Sequence, residues 1–312
     1  MKRYLRPVLV TATALGLLFL VACGFVAGLA RGRPEWRHID KNPTHYGLAD
    51  SSVVFFQSRD HMQVAARWIP AAGVRNGRAT VVLVHGIGGN RSDMLPQAKF
   101  LVAAGYDVLS IDLRAHGDSA GEYPSPGYLE VAEVEAAIAE AHRRSPRPVV
   151  LLGHSVGAVA VLHTASRGAA VAGTIADSAF ISAFDMFDRL RARLRAEGAS
   201  VWARMGVWFV GRRSLAGLFD VMLRVGGGPD IDARHGELPP VLPKIAGPVL
   251  FVTGTRDDIA PTANAHAMAR LVGHAEVVEL AASHHTYRDA APDYERAVLG
   301  FLDRVVPPAV AR

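Results

Sequence analysis

Residues 148–166 read PVVLLGHSVGAVAVLHTAS. Pro148 to Leu152 is a short apolar run of the length of a buried strand, and the alanine- and valine-rich stretch from Val156 reads as a helix. Between them lies Gly153-His154-Ser155-Val156-Gly157, a G-x-S-x-G pentapeptide common enough by chance that its placement carries the argument. The motif belongs at a sharp strand-to-helix turn. There the two glycines avoid collision with neighbouring backbone, and the serine stands clear of the sheet at the helix N-terminus, where the helix dipole favours negative charge.

Outward from this turn the pattern repeats. ATVVLVHG, YDVLSID, VAGTIADS, PVLFVTG and AEVVEL join PVVLLGHS as buried-strand candidates. SDMLPQAKFLVAAG, YLEVAEVEAAIAEAHRR and the segment after Ser155 read as helices. In the second of these, Val131, Val134 and Ile138 share one face, and Glu130, Glu133 and Glu140 lie off it. Alternating strands and helices imply an α/β fold, a mostly parallel sheet with helices on both faces, whose ligands bind beyond the strands' C-terminal ends. Before it, Val53 to Phe56 and Met62 to Ile69 read as an antiparallel hairpin. The strand ending at Asp177 and the one beginning at Pro248 are about seventy residues apart, too far for a simple crossover. There Phe184, Phe187, Leu190 and Leu194, then Trp202, Met205, Trp208 and Phe209, recur at helical spacing. This predicts a helical cap over the sheet at about 181–247, the alternative being an ordinary helical layer packed on it.

Composition narrows the function. The 312 residues are 50% hydrophobic and 20% charged, which excludes collagen, a coiled coil and an acidic tail. The single cysteine, Cys23, excludes an internal disulfide and a Cys-rich zinc site. The net charge of +5 resides wholly in Lys2, Arg3, Arg6, Arg31, Arg33 and Arg37 against Glu35, so the rest of the chain has no basic excess for nucleic acid.

Val8 to Ala30 carries no charge, and as a helix it would be roughly 35 Å long, enough to span a bilayer. Residues 1–30 are therefore expected to be an N-terminal transmembrane anchor. The run is too long for a typical cleaved signal, and Leu20-Val21-Ala22-Cys23, which resembles a bacterial lipobox, offers a lipoprotein alternative with Cys23 lipidated. In either case a membrane is the expected partner and the bulk of the chain is expected outside the cytoplasm. Residues 31–50, polar and punctuated by Pro and Gly, read as a linker to a domain at 51–306.

A serine hydroxyl needs an adjacent base, and the base an orienting acid. On such a fold both follow the serine in the chain. The acid is expected in Gly254-Thr255-Arg256-Asp257-Asp258-Ile259-Ala260-Pro261, with Asp177 as an alternative, and the base in Ala282-Ser283-His284-His285. An oxyanion hole would use the Val156 amide and one from His85-Gly86-Ile87-Gly88-Gly89-Asn90, with Ile87 as the chosen donor. His85 and His116 read as loop-organising partners. No HExxH, EF-hand or Walker pattern appears, and no cofactor or metal is called for.

LVHGIGGNRSDMLPQAKFLVAAGYDVLSIDLRAHGDSAGE, GHSVGA, TGTRDDIAP and the histidine before the last helix together resemble the alpha/beta-hydrolase superfamily, near its bacterial esterase, lysophospholipase and serine-aminopeptidase-like members. The resemblance covers roughly residues 50 to 306. It implies a Ser155 nucleophile, an acyl-enzyme and a Gly-x-x-Asp-x-x-x-Pro acid at Asp257. The family run Glu-Val-Pro-Gly-Ala-Gly-His, laid without a gap on Glu279 to His285, selects His285 as base, with His284 the alternative because Gly-Ala-x-His is here Ala-Ser-His-His. Ala115 stands where relatives commonly have glycine. The expected function is a membrane-tethered serine esterase acting on a hydrophobic ester or lysolipid. The rival readings are a peptidase or amidase, an acyltransferase, and a non-catalytic binding module of the same fold.

Overall fold

The computed structural model describes residues 2–39, 41–48, 50–72, 78–198, 200–201, 204–205, 216–226, 228–229 and 231–306. The side chains of 2–12, 14, 26, 29, 216–217, 219 and 233 are outside the description. Eight strands form one sheet: β1 (Ser52–Gln57), β2 (Gln63–Ile69), β3 (Thr80–Val84), β4 (Asp107–Ile111), β5 (Val149–His154), β6 (Gly173–Asp177), β7 (Val249–Gly254) and β8 (Ala275–Leu280). Their spatial order is β1-β2-β4-β3-β5-β6-β7-β8, with β1/β2 and β2/β4 antiparallel and every other pair parallel. The expected hairpin and all six later strands are therefore present.

The helices with described bounds include α1 (Lys2–Ala30), α2 (Leu95–Ala103), α3 (Val131–Arg144), α4 (Val156–Ser166), α5 (Ala183–Ala196), α6 (Ala216–Val225), α7 (Thr262–Ala269) and α8 (Thr286–Val305). Strand side chains alternate between the two faces of the sheet. Val82, Val84, Leu109, Ile111 and Leu151 pack with α3, α4 and α7, while Val81, Leu83, Val108, Val150 and Leu152 pack with α2 and α8. Two apolar layers with a sheet between them leave the strand ends free to carry polar loops. Burying one such valine or leucine contributes about 1.5–3 kcal/mol, so these paired layers fix the register of the rim.

Glu130, Glu133 and Glu140, placed by pattern off the apolar face of the α3 segment, are all buried. Each carries its own partners. Glu133 takes the Arg114 guanidinium at 2.7 and 3.1 Å, Glu130 accepts the Ser125 amide at 2.6 Å, and Glu140 accepts from Arg143 at 2.7 Å and Arg144 at 2.6 Å. A paired carboxylate can be buried where an isolated one cannot, and periodicity alone contains no record of the partner.

Between β6 and β7 the chain forms α5 and α6, helices that both the cap and the helical-layer readings expect. Ser182 caps α5 by accepting the Asp185 amide at 3.1 Å. Asn264 of α7 donates to Asp185 at 2.8 Å, which ties α5 to the loop region after β7, at the C-terminal rim. Phe184 is buried with Ala183 and against Phe187. Met205 is exposed, and Trp202, Trp208 and Phe209 lie outside the described residues. Helix α6 packs on α1, where Cys23 and Ala27 meet Met222 and Leu223 beside Tyr123 and Tyr128. Among the described residues no helix is long and apolar enough to cross a membrane. The expected transmembrane span therefore lacks support there, although residues 8–12, 14, 26 and 29 of that run have side chains outside the description.

The stretch read as a linker is pinned down. Gly32 donates to the Glu122 carbonyl at 2.7 Å, Gly117 to the Trp36 carbonyl at 3.0 Å, and Arg37 to the carbonyls of Ser119 and Gly121 at 2.8 and 2.5 Å. These bonds satisfy the carbonyls of a turn-rich loop that has no strand to pair with. In that loop Ala115 has φ +63°, so the position where relatives commonly have glycine is one where a Cβ is strained.

Two buried imidazoles organise the rim. His85 Nε2 accepts the Leu113 amide at 3.0 Å, and His116 Nε2 accepts the Gly88 amide at 3.0 Å. Burial lowers the His85 pKa to about 4 and that of His116, with His85 beside it, to about 3. Unfolding restores a value near 6.5, so the unfolded chain binds more protons and stability is lost as pH falls from about 6.5 toward 4. Urea melts across that range should show this decline, with each histidine contributing up to about 1.4 kcal/mol per pH unit. His116→Gln should have the shallower slope, and identical slopes would contradict the assignment.

Candidate active site

The sheet register brings one set of strand ends together. Val84 pairs with Gly153, His154 with Asp177, and Gly254 with Leu280. The loops after β3, β5, β6, β7 and β8 consequently meet at one rim, at the centre of the sheet.

Ser155 sits at φ +54° and ψ −117°, a conformation that costs a side-chain-bearing residue about 1–3 kcal/mol. The surroundings impose it. A Cβ on Gly153 would lie 2.2 Å from the Gly157 carbonyl oxygen, and one on Gly157 would lie 2.3 Å from the Val84 carbonyl oxygen. The Ser155 amide donates to the Asp177 carbonyl at 2.8 Å, locking the turn to the neighbouring strand. The hydroxyl stands at the N-terminus of α4, as the strand-turn-helix reading requires.

His284 lies between Ser155 and Asp257. The Ser155 hydroxyl donates to His284 Nε2 at 3.0 Å, and His284 Nδ1–H donates to Asp257 Oδ2 at 2.8 Å. The other Asp257 oxygen accepts the Ile259 and Ala260 amides at 2.9 and 2.8 Å. Burial alone would raise the Asp257 carboxyl, but the hydrogen bond and charge of His284, together with those two amides, hold it below the usual range. The Asp257 side chain is 0% exposed and that of Asp258 63%, which separates these neighbours.

The gap-free count to His285 lands one residue too far. His285 is the residue preceding α8, and its ring centre is 5.9 Å from those of His284 and His154, with no bond to Ser155 or Asp257. The reason is local. Ser178 donates to the His284 carbonyl at 3.2 Å and the Thr286 hydroxyl to Asp177 at 2.6 Å. A bond to the His284 carbonyl and one just after the pair, at Thr286, fix which of the two consecutive side chains faces Ser155. Asp177, the alternative acid, is instead held by Thr286 and by His154 Nδ1 at 3.1 Å. This second imidazole–carboxylate pair was not foreseen from the sequence. Burial opposes the protonation of His154, and the Asp177 carboxylate outweighs it, raising the pKa.

The glycine loop lies against Ser155, since a Cβ on Gly86 would be 3.1 Å from the Ser155 Cβ. Gly88 donates to His116, Gly89 to the Gly86 carbonyl at 3.1 Å, and Asn90 to Asp93 at 3.0 Å. The amides of Ile87 and Val156, the two expected donors, have no acceptor among the described residues. Two such amides beside a serine hydroxyl suit a developing oxyanion. A cavity of about 450 Å³ at the opposite end of the sheet, between Pro148, Gly173 and Pro248, is remote from this chemistry. Among the described residues no group of three or more His, Cys, Asp or Glu side chains could hold a metal ion.

The chain resembles known proteins over most of its length. It is 27% identical over 275 residues to the uncharacterized protein YqkD of Bacillus subtilis, covering 82% of this chain and 85% of that one. It is 30% identical over 136 residues to the uncharacterized protein YfhR of Escherichia coli, which is 41% of this chain and 47% of YfhR. In fold it matches an esterase of Pyrococcus furiosus with a TM-score of 0.69 at 21% identity, covering 86% of this chain and 97% of that one. It also matches a membrane phospholipase A described as a bacterial virulence factor, with a TM-score of 0.60 at 23% identity, covering 99% of this chain and all of the other. The family model for the alpha/beta hydrolases matches residues 81–297, the span that carries every strand of the parallel core past the first residue of β3 together with the serine, the carboxylate and both histidines, and the chain belongs to that family.

Proposed function

We propose that the protein is a serine hydrolase of acyl esters. Ser155 attacks the substrate carbonyl while His284 Nε2 takes its proton, and Asp257 orients the imidazole and stabilises its charge. The Ile87 and Val156 amides receive the oxyanion. His284 then protonates the leaving alcohol and activates the water that releases the acid from the acyl-enzyme. The observation that carries this reading is the pair of His284 bonds, 3.0 Å to Ser155 and 2.8 Å to Asp257. Ser155→Ala and His284→Ala should each lower turnover by about a thousandfold or more, and Ser155→Ala should lose labelling by a fluorophosphonate probe. His285→Ala should stay within about tenfold of the parent enzyme, because its ring bonds neither neighbour. Labelling that survives in Ser155→Ala would overturn the mechanism, and loss of activity in His285→Ala alone would return the base to that residue.

For substrate we favour a hydrophobic ester or a lysolipid. Phe184 and Phe187 in the segment above the rim support this, as do the fold likenesses to an esterase and a phospholipase. Among p-nitrophenyl esters of rising chain length, kcat/KM should increase beyond acetate. Preference for aminoacyl amides would indicate a peptidase, product only in the presence of an added alcohol or amine an acyltransferase, and binding without turnover a non-catalytic module.

We further propose that α1 tethers the enzyme to a membrane, with the hydrolase domain outside the cytoplasm. The uncharged run Val8 to Ala30 supports this, and so do Leu15, Leu17, Leu18, Leu20, Val21 and Phe25, each more than half exposed. The full chain should stay in the membrane pellet after an alkaline wash, and a chain lacking residues 1–30 should be released. A full chain that is released as well would remove the tether. A mature N-terminus at Cys23 with the mass of attached lipid would establish a lipoprotein in place of the helix.

A further inference from the structure

We propose that Trp36 is a positioning residue for the oxyanion loop, its indole clamping the His116 imidazole that accepts the Gly88 amide and so fixing the neighbouring Ile87 amide beside Ser155. The inference rests on the serine hydrolase reading and assigns a role to a segment outside the family's matched span of 81–297.

The loop Gly86-Ile87-Gly88-Gly89 is intrinsically loose, because three glycines sample far more backbone space than other residues. An oxyanion donor acts through preorganisation, so its aim must come from outside the loop. Gly88, at φ +77°, is the point of control. Its amide donates to His116 Nε2 at 3.0 Å, and His116 Nδ1 bonds the Arg114 carbonyl at 2.7 Å, which leaves Nε2 as the acceptor. The far face of this imidazole is covered by Trp36, with ring centres 4.9 Å apart and planes within 4°. The indole also fills the space beside the glycine, since a Cβ on Gly88 would lie 3.3 Å from Trp36 Nε1. The low pKa of His116 keeps the ring neutral at working pH, and a protonated ring would lose this acceptor.

The residues around Trp36 hold the same two loops from several sides. The Trp36 carbonyl accepts the Gly117 amide at 3.0 Å, and Arg37 bonds the Ser119 and Gly121 carbonyls. Asn90 Nδ2 donates to the His38 carbonyl at 3.0 Å. Lys41 pairs with Asp93, whose other oxygen accepts the Asn90 amide. A passive tether requires none of these contacts. A brace for the glycine loop requires bonds where the loop ends, a hold on the neighbouring loop that carries His116, and a flat surface against the imidazole, as found at Asn90 and Asp93, at Gly117 to Gly121 and at Trp36.

The test uses the full-length enzyme in detergent and four readouts: melting temperature, kcat, KM on the preferred p-nitrophenyl ester, and Ki for a trifluoromethyl ketone that forms a tetrahedral oxyanion on a serine. In Trp36→Ala, kcat should fall about tenfold with KM changed by less than about twofold, and Ki should rise about tenfold in parallel. Trp36→Phe should restore most of the loss because a flat ring still stacks. Trp36→Leu, with apolar bulk but no ring, should behave as the alanine variant does even where its melting temperature matches the parent. An unchanged kcat or Ki in both Trp36→Ala and Trp36→Leu would overturn the proposal. So would a loss that follows melting temperature and is not restored by phenylalanine. Turnover retained in Ser155→Ala would instead overturn the underlying hydrolase reading, whatever Trp36 does.

Discussion

The close approach of backbone at Gly153 and Gly157 is the contact on which the rest depends. Gly157 lies so near the Val84 carbonyl that a methyl group there would overlap it, and Gly153 is equally tight against Gly157. This crowding pulls the start of α4 down onto β3 and β5, forces Ser155 into its positive φ, and lifts the hydroxyl above the rim. The strain of about 1–3 kcal/mol is local. It is sustained by two apolar layers whose combined burial is far larger, so the turn has no cheaper way to relax.

Once the serine is placed, the remaining chemistry is assembled by loops that share one architectural reason for meeting. Parallel strands in register end on the same side, and β5, β6, β7 and the edge strand β8 deliver their loops within bonding distance of one another, with the loop after β3 alongside. Asp257 is buried and supplied with two amides, so it can remain charged where few carboxylates could. His284 is held through its own carbonyl, which accepts the Ser178 hydroxyl, and by the Thr286 hydroxyl bonded to Asp177 two residues on. The neighbouring His154–Asp177 pair reuses the same design without contacting Ser155 through its imidazole, and stabilises the end of β6 and the start of α8.

The N-terminal segment alters how this site is understood. A polar stretch with prolines and glycines resembles a passive tether, yet its residues cross the rim and bond the loops that surround the glycine turn. Helix α1, which precedes it, packs on α6 through Cys23 and Ala27. The segment outside the hydrolase core is thus joined both to α6 and to the loop beside Ser155.

The sequence by itself determined what depends on local order. Apolar runs alternating with helical periodicity defined the sheet and its helices, the G-x-S-x-G turn located Ser155, and the loop after β7 was marked as the place of the acid, with the family resemblance preferring Asp257 to Asp258. Only the tertiary structure decided which of two adjacent histidines faces the serine, because consecutive side chains point different ways and the choice is made by Ser178 and Thr286, the latter through Asp177, far from the histidines in the chain. The same holds for the buried glutamates of α3, whose tolerance depends on Arg114 and Ser125 as well as arginines on the helix itself, and for Trp36, which no motif marks. Periodicity and spacing record what a residue's neighbours in the chain require. Partners brought together by folding leave no such record until the chain has closed around them.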